Sequence, residues 1–392
     1  YYGDIRQNIY DRGVGAKIFQ LHKGLTPIQK EFNRRSSPKI IGVANLIRND
    51  GLIQQSIYEK FPTSEVLCEV CPATARDEIV EKLCNRWKIS IDNPLHCFEL
   101  TNELVAKKSG FEDIYDFFKN CRYYKRGRNY ELLRDHLLAQ DETKLGDVQK
   151  LLFRLLDFKK KVQNDNTSIN NLLQISRVHP DTKSKFNIIN IRALVDKLHS
   201  LSGETLASYL EKLFEFYQLG DDLYDECIRY TIAEEIDSLV SLKQYMLECL
   251  FVNADDAALT DLELQDSSTS IDNFLNIKID IFECWYDFIN RTDKKSDIIY
   301  HTFHSTKGLE FDNVLILLTK KFGRDKEYFG SLLKTFPEKI DAKYDSTEIG
   351  AARNLFYVAV TRATKKLCVA YLADEQEQLS DVELQLGSIF TK

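Results

Sequence analysis

No G-x-x-x-x-G-K-[ST] phosphate loop occurs anywhere in the 392 residues, so this chain alone lacks the backbone cradle that such a loop offers a triphosphate. No strand ending in Asp-Glu stands near the front of the chain to hold a magnesium ion. Ala373-Asp374-Glu375-Gln376 has that look, but it follows an apolar run and reads as the exposed end of a strand. There is no run of eighteen apolar residues and no signal-peptide pattern at the start, so a membrane span is not expected and a cytoplasmic protein is. No repeat of solenoid length is evident. Nine cysteines, an odd number without framework spacing, suggest reduced thiols. Cys68-Glu69-Val70-Cys71 has no second pair at zinc-finger spacing; Cys68 and Cys71 read as strand residues, and no metal site is expected. Positive charge is also in deficit. A formal net charge of −7 argues against a small protein that coats nucleic acid by charge, though not against a local basic track on a larger one.

Two strings stand out against these absences. In the first, Ile298-Ile299-Tyr300 and Thr302 read as a short strand, His304 to Glu310 as a polar turn, and Val314 to Leu318 as a strand buried on both faces of a parallel sheet. Gly308 lets the backbone approach a ligand closely. Thr302, His304 and Lys307 offer donors to phosphate, and Glu310 offers an acceptor suited to a ribose hydroxyl. In the second string, Leu355, Tyr357 or Val358, and Thr361 or Arg362 recur at helical spacing, and 366–372 reads as another buried strand. Arg362 is expected on that helix, where a guanidinium facing a nucleotide cleft can stabilise a transferring phosphoryl group.

The rest of the chain divides by period. Helices are expected over 40–48 and 75–87, strands over 64–70 and 95–100, and a helix capped by Thr101-Asn102-Glu103, an order suited to a doubly wound sheet. From about 125 to 295 the period is helical. Val148, Leu151, Leu152, Leu155 and Phe158 form one stripe; Leu206, Leu210, Leu213, Phe214 and Tyr217 form another, as in a helical bundle. The acidic, serine-containing stretch 253–272 reads as a loose connector. Residues 122–130 interleave cations with tyrosines, as a single-strand path can. Arg126 and Arg128 are its candidate phosphate contacts, against the alternative of a solvated basic loop.

His304-Ser305-Thr306-Lys307-Gly308-Leu309-Glu310-Phe311 and Tyr357-Val358-Ala359-Val360-Thr361-Arg362-Ala363 resemble motifs V and VI of the superfamily 1 helicases of the UvrD/Rep/PcrA type. Gly3-Asp4-Ile5-Arg6-Gln7-Asn8-Ile9-Tyr10 with Gly15-Ala16 resembles motif III, and Asn33-Arg34-Arg35-Ser36-Ser37-Pro38 resembles motif IV. Four motifs in order imply the C-terminal part of such a helicase, either in repair or of the phage-defence, Gabija-like type in which a motor is paired with a nuclease. The fold implied is α/β, a RecA-like parallel sheet with helices on both faces (a P-loop NTPase-type lobe) and an inserted all-helical accessory domain. Residues 1–20 would be the tail of a first lobe, 21–124 and 296–392 the two parts of the second, and 125–295 the insertion called 2B. The first residue is Tyr1, and the chain is expected to continue a longer polypeptide that supplies the main nucleotide-binding elements.

The resemblance implies ATP and Mg²⁺ as cofactors and single-stranded or partly duplex DNA as the track. It makes Gln7, Arg35 and Arg362 the groups that reach the γ-phosphate and Glu310 the ribose contact. Tyr10 would lie near the bases, and Thr302 and His304 on the DNA backbone. The motif IV aromatic that stacks on adenine is Arg34 here, and arginine can also stack by cation–π contact. Arg12 replaces a second aromatic of motif III, and Ala351-Ala352 replaces the acidic pair that opens motif VI. An active DNA motor and a non-motor binding or regulatory module that keeps the fold both remain open at this stage.

Overall fold

The computed structural model describes residues 4–7, 9, 24, 31–57, 63–99, 101–126, 129–164, 196–197, 199–218, 236–252, 259–290, 296–320, 328–335, 348–374 and 387. The chain divides into two compact units, 1–105 with 294–392, and 106–293.

The first unit is built on a five-stranded, all-parallel sheet. Its strands are β3 (Glu65–Pro72), β4 (Leu95–Glu99), β5 (Ile298–Thr302), β6 (Phe311–Thr319) and β7 (Ala363–Ala373), in the order β3-β7-β6-β4-β5. A small parallel ribbon of β1 (Phe32–Asn33) and β2 (Gln55–Ser56) stands apart from it. The apolar run Val314 to Leu318 is fully buried because both faces of β6 are covered. On one face Val314, Ile316, Leu318, Leu367, Val369 and Tyr371 pack against three helices, α1 (Pro38–Arg48), α12 (Tyr328–Thr335) and α13 (Glu348–Val360). On the other, Leu315, Leu317, Cys368 and Ala370 pack against Ile79, Val80, Leu83 and Trp87 of α2 (Arg76–Trp87). The pleat alternates the strand residues between the two faces. The chain is therefore α/β with helices on both faces of a parallel sheet, as the sequence implied. Cys68 and Cys71 lie in β3. The helix expected after Thr101 is α3 (Asn102–Lys108).

The second unit is helical in its described residues. It holds α4 (Glu112–Asn120), α5 (Arg122–Lys125), α6 (Asn129–Leu138), α7 (Asp147–Gln163), α8 (Leu206–Gln218), α9 (Leu239–Leu250), α10 (Asp261–Leu275) and α11 (Ile279–Asn290). Its core is aromatic: Phe117 stacks on Phe274 with centroids 4.0 Å apart, Phe274 meets Phe282 edge-on, and buried Trp285 donates to the Leu137 carbonyl. Val148, Leu151, Leu152, Leu155 and Phe158 are buried along α7, as their spacing required.

One expectation fails here. The stretch read as a loose connector is helical from Asp261 onward. Thr260 and Glu263 close a capping box, and Ile271, Phe274 and Leu275 are buried at helical spacing, which outweighs the acidic composition. The tyrosines of the patch 122–130 differ: Tyr130 is 36% exposed, while Tyr124 is withdrawn from solvent. Arg122–Lys125 is a helical turn, and Tyr124 is buried with its hydroxyl 2.9 Å from His136 Nδ1 and 2.8 Å from Gln149 Nε2. A ring so enclosed has no face left for a base. Among the described residues no helix is long and apolar enough to cross a membrane.

Candidate functional site

Three turns converge where β6 and β7 begin. The first runs from β1 into α1. Asn33 Oδ1 accepts from the Arg35 and Ser36 amides at 2.9 and 3.1 Å, an Asx-type turn that aims the Arg35 side chain outward. Ser36 Oγ then donates to the Ala363 carbonyl at 2.7 Å, and the Ser37 amide to that of Thr364 at 2.9 Å, stapling this turn to the start of β7. The second turn, Gly308 to Phe311, enters β6, and its Phe311 amide donates to the Arg362 carbonyl at 2.9 Å. The third is Thr361-Arg362. It corrects the expected placement of Arg362: helix α13 ends at Val360, and Arg362 lies in the turn between that helix and β7.

Arg362 is only 2% exposed. Its guanidinium donates to the carbonyls of Val358 (3.0 Å) and Leu309 (3.3 Å) and to Thr361 Oγ1 (3.1 Å). Arg35 Nε lies 2.5 Å from Glu310 Oε1, an ion pair that lacks the alignment of a hydrogen bond, and Arg35 Nη1 reaches the Thr361 carbonyl at 3.5 Å. Lys307 Nζ donates to the Gln7 carbonyl at 3.0 Å. Burial, and then the positive charge of Arg35, push the Arg362 pKa down to about 10, with Glu310 opposing. Burial, and then Arg362, likewise lower Lys307. Three cations thus share a site with one carboxylate, and each shift shows positive charge held against its preference. A polyanion placed there would relieve both effects.

Glu310 also borders an open cleft of 380 Å³ lined by Asp92, Asn93, Pro94, His96, Phe311, Asp312 and Thr364. His96 stacks on Phe311 with centroids 4.0 Å apart, and its Nδ1 lies 2.9 Å from Nε2 of His301. Burial holds the His96 pKa down to about 4, with Asp312 opposing.

The structure separates the ends of the first string. Thr302 and His304 sit where β5 finishes, and Glu310 sits where β6 starts. Leu95 is level with both Ile298 and Asn313, so Thr302 is level with Glu99 while Phe311 precedes Leu95. Parallel strands make these opposite ends of the sheet, about 20 Å apart at ~3.3 Å per residue. Thr302 is buried and its Oγ1 accepts from the Ser305 amide at 3.3 Å. Gly308, at φ 89°, holds the left-handed conformation that glycine alone adopts without cost. Arg34 is exposed beside Arg35, and Gln7 is half-buried. Arg126 is half-buried in the helical unit just past Arg122–Lys125. Tyr10, Arg128 and the Gly15-Ala16 pair lie outside the described residues.

One group of residues went unrecognised in the sequence. The hydroxyl of Tyr357, on α13, receives hydrogen bonds from Arg48 Nη1 (3.0 Å) and Gln54 Nε2 (3.1 Å) and donates to Asp4 Oδ2 (3.3 Å). Asp50 accepts from Arg48 Nε at 2.8 Å and from Arg6 Nε at 3.0 Å, and Arg48 lies 3.5 Å from Asp4. Arg6, Arg48 and Tyr357 are each 5% exposed or less. Burial raises the Asp50 pKa, but the bonds from Arg48 and Arg6 outweigh it and hold the carboxyl below its ordinary range. Burial, then Asp4, push the Tyr357 phenol up to about 12. Asp4, Arg6 and Tyr357 stand within the motif strings, but nothing local joins them to Arg48, which closes the apolar face of α1.

Comparison with known proteins bears on this arrangement. A family model described as the UvrD-like helicase C-terminal domain matches residues 98–374. The chain is 35% identical over 394 positions to the Gabija protein GajB of Bacillus cereus (strain HuB5-5), covering 100% of this chain and 56% of that protein. It is 24% identical over 259 positions to a probable DNA helicase II homolog of Mycoplasma pneumoniae, covering 62% of this chain and 33% of that protein. It therefore spans about half the length of the first of these relatives and about a third of the second.

Proposed function

This chain belongs to the UvrD-like helicase family, carrying its C-terminal domain, and from that premise we propose that it forms the second motor lobe of an ATP-driven translocase on single-stranded DNA. The observation that carries this reading is the junction of Arg35, Arg362 and Lys307 around Glu310, with the Gln7 carbonyl held by Lys307. Such a junction suits a triphosphate whose other side is held by a preceding lobe. Residues 1–20 are then the tail of that lobe, and the expected boundaries of the insertion, 125 and 295, widen to those of the helical unit, 106–293, which leaves 21–105 and 294–392 as the second lobe.

In the cleft, Arg35 and Arg362 neutralise charge on the γ-phosphoryl oxygens as it is transferred, and Glu310 turns from Arg35 to accept a ribose hydroxyl. Mg²⁺, held by residues outside those described, would supply positive charge to the phosphates when bound. Gln7 orients the γ-phosphate, and the arginines act most strongly in the transition state. His304 faces the DNA backbone from the opposite end of the sheet, and buried Thr302 supports its turn through Ser305. The likeness to a Gabija protein favours phage defence over repair, with a nuclease as partner.

The test is ATP turnover by the full-length protein with and without single-stranded DNA. DNA-stimulated turnover is expected, and Arg362→Ala should lower kcat by about 10²-fold or more while leaving ATP binding largely intact. Wild-type protein without DNA-stimulated turnover, or an Arg362→Ala variant at wild-type rate, would overturn the assignment.

A further inference from the structure

Tyr357 contributes a single polar atom to the interior of the first unit, yet that oxygen joins three segments distant in sequence. Its bond to Asp4 Oδ2 spans 353 positions, its bond from Arg48 spans 309, and its bond from Gln54 spans 303. From this oxygen, three routes lead to groups at the nucleotide-facing junction.

Asp4 lies three residues before Gln7, and the Gln7 amide donates to the Asp4 carbonyl at 2.9 Å, so the short turn carrying Gln7 starts on the residue that the phenol holds. Gln54 leads to Arg35. Its Oε1 accepts from Asn33 Nδ2 at 3.0 Å, and Asn33 Oδ1 in turn organises the Arg35 turn. The Gln54 backbone is fixed by a reciprocal pair with Asn45 of α1, at 2.9 and 2.8 Å. The third route is α13 itself. Tyr357 and Val358 are adjacent, Val358 accepts from Arg362 Nε, and the Thr361 amide donates to the Tyr357 carbonyl at 3.0 Å. Arg48 and Asp50 then lock the oxygen from behind, with Arg6 on the same carboxylate.

We infer that the Tyr357 hydroxyl is a positioning group that sets Gln7, Arg35 and Arg362 in register for phosphoryl transfer. It touches no substrate. It acts through Asp4, through Gln54 and Asn33, and through the end of its own helix. The geometry explains why a phenol is needed at a site that apolar packing alone would fill: the ring lies in the core while its oxygen serves two donors and one acceptor at once. The inference rests on the functional reading above and adds a residue to it.

The test is Tyr357→Phe in the full-length protein, since it deletes one oxygen and leaves the ring. ATP turnover with saturating single-stranded DNA, ATP binding and the thermal midpoint are measured for the wild type, Tyr357→Phe, Arg35→Lys and the double variant. Tyr357→Phe should lower kcat by on the order of ten- to a hundredfold, because small misplacements of reacting groups cost about that much. KM for ATP should move by less than about threefold, well under one tenfold step of binding energy. In the Arg35→Lys background the same change should have a smaller effect, because one of the three routes from the phenol ends on that guanidinium while those to Gln7 and Arg362 remain. A residue that only supports the fold would instead give independent, multiplicative losses that track the thermal midpoint. Multiplicative losses, or an unchanged kcat in a folded Tyr357→Phe protein, overturn the inference while leaving the functional reading intact. A wild type that shows no turnover sinks both. If Tyr357→Phe fails to fold, Gln54→Glu decides. It removes the donor to the phenol and should lower kcat in a folded protein; unchanged kcat there overturns the inference.

Discussion

Acid should loosen the first unit through a single imidazole. His96 is pushed from an ordinary 6.5 down to about 4, chiefly by burial. In the unfolded chain it binds a proton near pH 6.5, whereas the folded chain resists that proton until about pH 4. Over this window the unfolded state holds more protons, so stability is full above pH 6.5 and falls as the pH drops towards 4. A displacement of that size corresponds to about 3 kcal/mol, an upper limit for the loss. The neighbourhood gives the loss a structural form. His96 and His301 can share their 2.9 Å bond while one ring donates and the other accepts, but protonating both leaves two donors facing each other. The comparison is urea unfolding of wild type and His96→Asn at fixed ionic strength between pH 7.5 and 4. Carboxylates held below their ordinary range, such as Asp50 and Glu65, lose stability on acidification in both proteins and cancel in the difference. The wild type should lose up to about 3 kcal/mol more than the variant, most of it below pH 6.5. Parallel curves across that range would show that the folded His96 titrates as it does in the unfolded chain.

Three further outcomes are expected. Gly308→Ala should cost roughly 1–2 kcal/mol in denaturant unfolding from the φ of 89° alone, since a β-carbon there meets no atom within 4 Å; a cost near zero would mean that the turn relaxes freely. In the full-length protein Arg126→Ala with Arg128→Ala should weaken DNA binding and flatten the slope of log K against log salt by about 0.7 for each phosphate that an arginine no longer neutralises on single strands. An unchanged slope would remove Arg126 and Arg128 from the track. His304→Ala should weaken binding with little change in that slope, because a neutral imidazole releases no counterion, and a slope shift like that of the arginine pair would contradict this.

Much of the sheet was legible because its signals are local. A continuous apolar run marked β6, and apolar-then-polar punctuation marked β4, β5 and the start of α1. Composition misled at 261–272, where a capping box and buried apolar residues at helical spacing outweigh nine polar ones. Spacing misled at Arg362, since helical periodicity continues for a residue or two after the backbone has turned. The convergence of Arg35, Glu310 and Arg362 could be drawn from a resemblance but not from pattern, because its bonds join residues as far apart as 326 positions. The Tyr357 cluster was not legible as a cluster for the same reason: two Asps, two Args and a Tyr lie in separate strings until the fold brings them together and excludes water.

The return from β5 to β6 acts as a taut strap. Residues 303–310 must travel back the length of the sheet and also cross over β4, which lies between the two strands. That is about 20 Å along the strands and about 10 Å across them. Part of the strap is wound up: His304–Thr306 is a 3-10 turn, closed by Thr306 Oγ1 on the Phe303 carbonyl at 2.7 Å and followed by the Leu309 amide on the Thr306 carbonyl at 3.0 Å. Eight extended residues reach about 27 Å at ~3.4 Å each against a path of about 22 Å, so the length in reserve is what the turn takes up at about 2 Å per wound residue. A pull on Glu310 at one end is not absorbed as slack. It unwinds the turn at His304 or drags it, and the turn can be rewound only by giving that length back.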